Sequence, residues 1–318
     1  MQFDSVFTSP VAILVAVAAI LVLPGIGRGD VIFESNVGNI GAGHGTVGEY
    51  TTTGAVVNAA IITGLTHPIF MAASGNDLFI TDYDDGIVSE YTTSGVKVNA
   101  ALVTGGAEGI TISGDHMFVS YNTTVREYTT SGTLINGSLV TGLQVASNVQ
   151  VEGNDLFVLS AYLIGQYQYS KIGEYDATTG AAINASLVTG LINAIGLTIS
   201  GSDMYVTNSN TGTILEYTTA GTLLNASFIT GVGPGVLFDM AVSNGDLFVS
   251  QGAGSSLPIG EYNAVTGATI NANLIPNLQH PAGFVVIPTP EPSGLVLLAC
   301  GAAGLALWAQ RGRLLIRG

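Results

Sequence analysis

Three groups of side chains in this sequence have the chemistry to act on another molecule. The first is imidazole. His67-Pro68 and His280-Pro281 repeat one dipeptide, and His44 is a third ring. Histidines gathered on one side of a fold can hold a metal or serve as a general base. A His-Pro pair ahead of a strand is also ordinary turn chemistry. The second group is acidic: Asp82, Asp84 and Asp85, with Glu108. Hard oxygen donors suit Ca2+, although the spacing lacks the twelfth-position Glu of an EF-hand loop. A solvated acidic loop is the plainer reading. The third lies in the run from Ser160 to Ser170, with Tyr162, Gln166, Tyr167 and Tyr169, in which tyrosines alternate with other residues. Tyrosine faces and Gln amides can stack on and hydrogen-bond a sugar. An elongated hairpin would produce the same alternation. His116, at the start of a strand, reads as a packing residue. The sequence contains no Gly-x-Ser-x-Gly, His-Glu-x-x-His, P-loop or zinc pattern.

The elements that must position these groups follow from a repeat. Glu-Tyr occurs at 49–50, 90–91, 127–128, 174–175, 216–217 and 261–262, at steps of 41, 37, 47, 42 and 45 residues. That spacing suits a four-stranded propeller blade. After each pair comes a polar turn ending in Gly, such as Thr92-Thr93-Ser94-Gly95. One unit reads as a strand at 69–73, a Gly-Asn turn, a strand at 78–81 and a polar loop at 82–86. A third strand at 87–91 and a fourth at 96–103 complete it. The body starts on a second strand, Val31 to Glu34, and ends on a first strand, Gly283 to Ile287. Pairing those ends gives six blades of four strands in a closed ring with no open array edge. The fold class is therefore all-β, a six-bladed β-propeller closed by its N- and C-terminal strands.

Residues present in every unit belong to the scaffold. The Glu-Tyr pair is one such set. Asn58, Asn99, Asn136, Asn184, Asn225 and Asn271 are another, placed to bond exposed backbone at the rim. Asp77, Asp115, Asp155, Asp203 and Asp246 are read as turn caps. Function should lie where blades differ, in the loops between second and third strands and between blades. Both open on one face of a propeller.

Composition bounds the rest. The chain of 318 residues has net charge −15, yet only 9% of its residues are charged. Between Asp30 and Thr289 the basic residues are Lys97, Arg126 and Lys171 alone. A phosphate backbone would be repelled, so nucleic acid is not an expected partner. The single cysteine, Cys300, excludes an intrachain disulfide.

The ends read as addresses. Residues 1–29 carry an apolar core at 11–23, broken by Pro24-Gly25, as in a signal peptide. Residues 30–288 are the propeller. In residues 289–318, Pro290-Glu291-Pro292 precedes an uncharged segment from Gly294 to Ala309, then Arg311 and Arg313. Sixteen residues span roughly 24 Å as a helix, and the basic end would stay cytoplasmic.

That tail resembles the PEP-CTERM sorting signal of Gram-negative bacteria with exopolysaccharide envelopes. The resemblance implies recognition and cleavage by an exosortase-type enzyme, membrane attachment only through the tail, and display at the outer surface or in the extracellular matrix. The residues Leu314-Leu315-Ile316 after the arginines depart from the usual short basic finish. The blade unit, with its Gly-Asn-Asp-Leu-Phe turn and Gly-x-Ile-x-Glu-Tyr strand, resembles the NHL/YVTN propellers, which include streptogramin-lyase-like and gluconolactonase-like members. Two functions follow as expectations. One is an exported, non-catalytic binding or matrix protein, its partners exopolysaccharide or other envelope proteins. The other is a propeller lyase or lactonase-like hydrolase using His67, His280 and His44. No cofactor is expected beyond a possible Ca2+.

Overall fold

The computed structural model describes residues 30–38, 44–164, 167–232, 237–251 and 255–288. The chain divides into a unit Gly29–Thr289 and a second unit, Met1–Arg28 with Pro290–Gly318, which lies outside the described residues together with the two expected terminal helices. Among the described residues no helix is long and apolar enough to cross a membrane.

Among the described residues, 24 strands form six sheets of four. Blade one joins β1 (Val31–Asn36), β2 (Gly45–Thr51) and β3 (Val56–Leu65) to β24 (Pro281–Ile287). Blade two is β4 (Pro68–Ser74), β5 (Asp77–Asp82), β6 (Ile87–Thr92) and β7 (Lys97–Thr104). Blade three is β8 (Ala107–Ser113), β9 (His116–Tyr121), β10 (Thr124–Thr129) and β11 (Leu134–Thr141). Blade four is β12 (Val145–Glu152), β13 (Asp155–Ile164), β14 (Tyr167–Asp176) and β15 (Ala182–Leu191). Blade five is β16 (Leu197–Ser200), β17 (Asp203–Asn208), β18 (Thr213–Thr218) and β19 (Leu223–Ile229). Blade six is β20 (Leu237–Ser243), β21 (Asp246–Gln251), β22 (Ser255–Asn263) and β23 (Thr269–Gln279). The ring closes as the repeat requires: β1 pairs antiparallel with β24, Val31 opposite Ile287 and Glu34 opposite Phe284.

Second strands are buried on both faces, as Phe79 and Ile80 show. The six tyrosines of the Glu-Tyr pairs are all buried. A hydroxyl staples the innermost strand of most blades. Ser120 Oγ accepts the N–H of Gly109 at 2.7 Å, and Thr207 Oγ1 that of Gly196 at 2.8 Å. Thr81 and Ser250 do the same for Phe70 and Asp239. The rim asparagines behave as expected. Each Oδ1 accepts the N–H two residues on, from Asn58 with Ala60 to Asn271 with Asn273.

The turn glycines have a steric reason. Gly54, Gly95, Gly132, Gly180, Gly221 and Gly267 hold φ between 68° and 83°. A Cβ on each would strike the outermost strand of the preceding blade, at the carbonyl oxygen of Leu274, Ile61, Leu102, Leu139, Leu187 or Phe228. These contacts set blade spacing.

Two expectations change, and one open alternative is decided. Of the two readings of the run 160–170, the pairing of β13 with β14 out to Ile164 opposite Tyr167 fits the elongated hairpin, with Tyr162 opposite Tyr169. Asp115 is not the counterpart of Asp77. In register, Ser113 faces His116 as Ser74 faces Asp77, so His116 takes that place. Nor is His116 a packing residue. Its half-exposed ring places Nδ1 2.6 Å from Oε1 of buried Glu127.

Blade one holds an anomaly. Glu34 is fully buried in β1, where the registers of blades two to six place Ile80, Val119, Val158, Val206 and Val249. Neither carboxyl oxygen has a hydrogen-bond partner, and burial pushes the carboxyl up to about 8. A group held neutral in the fold but ionised when unfolded stabilises the fold below its unfolded value. That stability is lost as pH rises from about 4.5 through about 8. Glu34→Val is expected to stabilise the protein at pH 8 and flatten this decline, as read from denaturant midpoints between pH 4.5 and 8.5. Gly180→Ala combines φ of 71° with overlap on the Leu139 carbonyl. It is expected to cost about 2 kcal/mol or more, lowering Tm by several degrees.

Candidate functional site

A cleft of about 720 Å3 lies between blades two and three. The glycine pair that links β7 to β8 forms one wall. The carbonyl of Gly86 accepts the N–H groups of Gly105, at 3.0 Å, and Gly106, at 2.9 Å. Tyr83 and Asp84 come from the loop after β5, and Glu108 from the start of β8. Tyr121 ends β9, the turn Asn122-Thr123 follows, and Thr124 and Arg126 stand on β10. Val145, the first residue of β12, closes the far side.

Arg126 is the cation of this cleft. Its guanidinium carbon lies 4.0 Å over the Tyr121 ring, whose hydroxyl meets that of Tyr128 at 2.9 Å. The Nε is buried without a hydrogen-bond partner, and among the described residues no ion pair engages the guanidinium. The register of β10 explains why this side chain is distinctive. Arg126 faces Val119, where the other blades place Gly48, Ser89, Gly173, Leu215 and Gly260. Glu108 is half-buried, and burial pushes its carboxyl up to about 7. It lines the same cleft as Arg126.

The acidic group divides between two jobs. Asp82 accepts the N–H of Thr66 at 2.7 Å and of His67 at 2.8 Å, using both oxygens. Asp85 Oδ2 accepts the Thr66 hydroxyl at 2.8 Å. These two hold the loop between blades one and two. Asp84 and Glu108 line the cleft instead. Among the described residues, no three His, Cys, Asp or Glu side chains converge as a metal ion requires.

His67 and His280 do share a backbone role. The carbonyl of His67 accepts Tyr83 N–H at 2.9 Å, and that of His280 accepts Val37 N–H at 3.2 Å. His280 holds φ of 56°, the conformation Asn193 adopts at the matching turn of blade five. Their side chains differ. His67 Nδ1 lies 3.3 Å from Asp84 Oδ1, an ion-pair contact without hydrogen-bond geometry, and its ring meets Tyr83 edge-on. His280 Nδ1 is buried and unpartnered, and His44 is exposed. Among the described residues no hydrogen bond, ion pair or ring contact joins the three to one another.

The tyrosine hairpin rises beside the cleft, since Val145 pairs with Ala161. Tyr162 and Tyr169 stack at 6.0 Å between ring centroids, so they spend a face on each other. Gln166 lies outside the described residues, and Tyr167 is described only by its strand backbone.

Sequence reasoning passed over two groups. Arg126 was visible only as one of three cations in the body. Asp239 lies in the central channel, a cavity of about 230 Å3 also lined by Asn148 and Gln150. It accepts the Phe284 N–H at 3.2 Å, and burial pushes its carboxyl up to about 7. The signal was a carboxylate in a first strand, where the aligned residues of blades one, two, three and five are Gly283, Phe70, Gly109 and Gly196.

No family model and no curated protein matches the chain. Solved structures match its fold. A structure of the nidogen/laminin complex covers 83% of this chain and 100% of its own, at 12% identity and a TM-score of 0.67. A gluconolactonase from Xanthomonas campestris covers 70% and 86%, at 13% identity and 0.55. A calcium-binding protein, regucalcin from Agrobacterium tumefaciens, covers 67% and 75%, at 11% identity and 0.53. The chain is a six-bladed β-propeller. At such identities the likeness shows the fold alone.

The division of the acidic group is measurable. Asp82→Ala leaves two backbone N–H groups without acceptors and is expected to cost about 2 kcal/mol. Asp84→Ala is expected to cost under about 1 kcal/mol, since its contact is a partly exposed ion pair. Denaturant unfolding of the two variants checks the contrast.

Proposed function

We propose that the chain is an exported, non-catalytic binding protein whose cleft between blades two and three takes an acidic, polyhydroxylated ligand of the uronate type found in exopolysaccharides. The observation that carries this reading is Arg126, a guanidinium with no ionic partner among the described residues, in a cleft of a chain with net charge −15. A fork of N–H donors held over an aromatic ring is pre-organised for a carboxylate. The half-exposed Tyr83 ring offers a stacking surface, and Asn122, Thr123 and Thr124 offer hydroxyl and amide partners. The neighbouring Asp84 and Glu108 exclude a second anion and favour ligands whose other groups are neutral donors.

The ends support the same setting. The leader at 1–29 would export the chain. Pro290, Glu291 and Pro292, the apolar segment, and Arg311 and Arg313 would present it to an exosortase-type enzyme. On this reading the membrane is met only through the tail, and the propeller acts at the outer surface or in the matrix. Nucleic acid is disfavoured by charge.

A lactonase-like reading rests on Glu108. A carboxyl pushed up to about 7 in the cleft that also holds Arg126 is suited to general-base work on a water, with Arg126 stabilising the charge that forms on the substrate. In this arrangement His67 is a neighbour of Asp84 rather than part of a three-histidine centre.

Calorimetric titration of acidic and neutral oligosaccharides separates these. Uronate oligomers are expected to bind and their neutral counterparts not. Arg126→Ala is expected to weaken uronate binding at least about tenfold, the loss of one charge-assisted contact. Equal binding of neutral and acidic sugars would remove the proposal. Turnover of sugar lactones that disappears in Glu108→Gln would replace it with the second reading.

A further inference from the structure

We infer that the rim of the propeller is a self-association surface, at which outer strands of one copy pair edge to edge with those of a second copy of this chain. The outermost strands β3, β7, β11, β15, β19 and β23 each have a hydrogen-bonded neighbour on one side only. Their outer side is thus unpaired along the first five residues except at the fifth N–H, which the rim Asn side chain takes, and five of the six strands are exposed there throughout. The farther half of each strand is covered by the glycine turn of the next blade, which limits pairing to this short segment.

The side chains match that geometry. At one register position every blade presents an aliphatic residue to solvent: Val57, Val98, Ile135, Ile183, Leu224 and Ile270, between 38% and 55% exposed. Soluble proteins blunt such edges with charge, proline or bulges; these strands have bulges on both sides of the rim Asn but almost no charge. Here the six strands contain one charged residue, Lys97, whose ammonium sits over the Tyr91 ring. None of the 22 acidic residues of the chain falls in them. A protein of net charge −15 repels its own copies at most surfaces, and the rim is the surface from which that charge is missing.

Self-pairing is favoured over another partner because the edge is self-complementary. Two such segments laid antiparallel set aliphatic beside aliphatic, with the asparagine side chains already turned back onto their own backbone. The bulge opposite each rim Asn keeps the paired stretch short, so each contact is weak. Six weak edges around a ring do not close into a dimer. They build an open network whose strength comes from number.

Sedimentation velocity and hydrogen–deuterium exchange on the full chain test this. Species larger than the monomer are expected to grow with concentration and with added salt, which screens repulsion. Backbone exchange in the first five residues of the outer strands is expected to slow severalfold in step. The variant Ile135→Lys/Ile183→Lys/Leu224→Lys changes only exposed positions and is expected to stay monomeric with an unchanged melting curve. A wild-type chain that remains monomeric at sub-millimolar concentration and high salt would overturn the inference. So would oligomers that form without slower exchange in the outer strands. If the triple variant fails to fold, the wild-type exchange pattern alone decides.

Discussion

The ring depends on one seam. Blades two to six are each continuous in sequence, but blade one exists only because β24 pairs with β1. Without a disulfide, nothing covalent secures that join. Losing it would expose a β24 edge, a β1 edge and the apolar cluster of Ile32, Phe33, Tyr50 and Phe284. The seam also contains Glu34, a carboxyl in a position that is aliphatic in the other blades. A site that carries most of the closure is thus the one given a titratable group. Its neutral form fits among apolar neighbours, and its ionised form is opposed by burial with no cation to offset it.

Blade spacing rests on a second constraint, the six turn glycines seated against the carbonyls of the preceding outer strand. These contacts account for the turn glycine that recurs in every unit, as the side-chain bonds to backbone account for the rim Asn. What does not recur then stands out physically. Arg126 occupies a position filled elsewhere by Gly, Ser or Leu. His116 replaces an aspartate beside Glu127. In blades two, four, five and six, burial and then the adjacent aspartate raise the carboxyls of Glu90, Glu174, Glu216 and Glu261. Blade three exchanges that repulsion for a hydrogen bond to an imidazole.

The scaffold was legible because its causes are local. Glu-Tyr spacing, Gly-Asn turns and short apolar runs placed most strands within one to three residues, and the count of orphan strands implied the closure. The site was less legible because its causes are spatial. Arg126 and Glu108 are 18 positions apart, and no motif links them. The three histidines share a loop face by sequence alignment, yet one faces Asp84, one has its Nδ1 buried without a partner and one is exposed. The alternating tyrosines were readable as either loop or hairpin. The structure selects the hairpin, because Tyr162 and Tyr169 oppose each other across the strands and stack.

Charge placement links the proposed ligand site to the proposed rim contact. A chain with this little charge could scatter it evenly, but it does not. Acidic residues fall on the first three strands of the blades and the turns between them, and the outer strands contain none. One unpaired guanidinium stands in the cleft. Long-range repulsion therefore opposes face-to-face approach of two copies and leaves edge-to-edge approach least opposed. The same repulsion would weaken capture of a polyanion anywhere except beside Arg126. An acidic polymer would then be held at one point per propeller while propellers contact each other laterally. The two interactions use different surfaces and respond oppositely to salt: screening weakens the guanidinium–carboxylate contact and relieves repulsion at the rim.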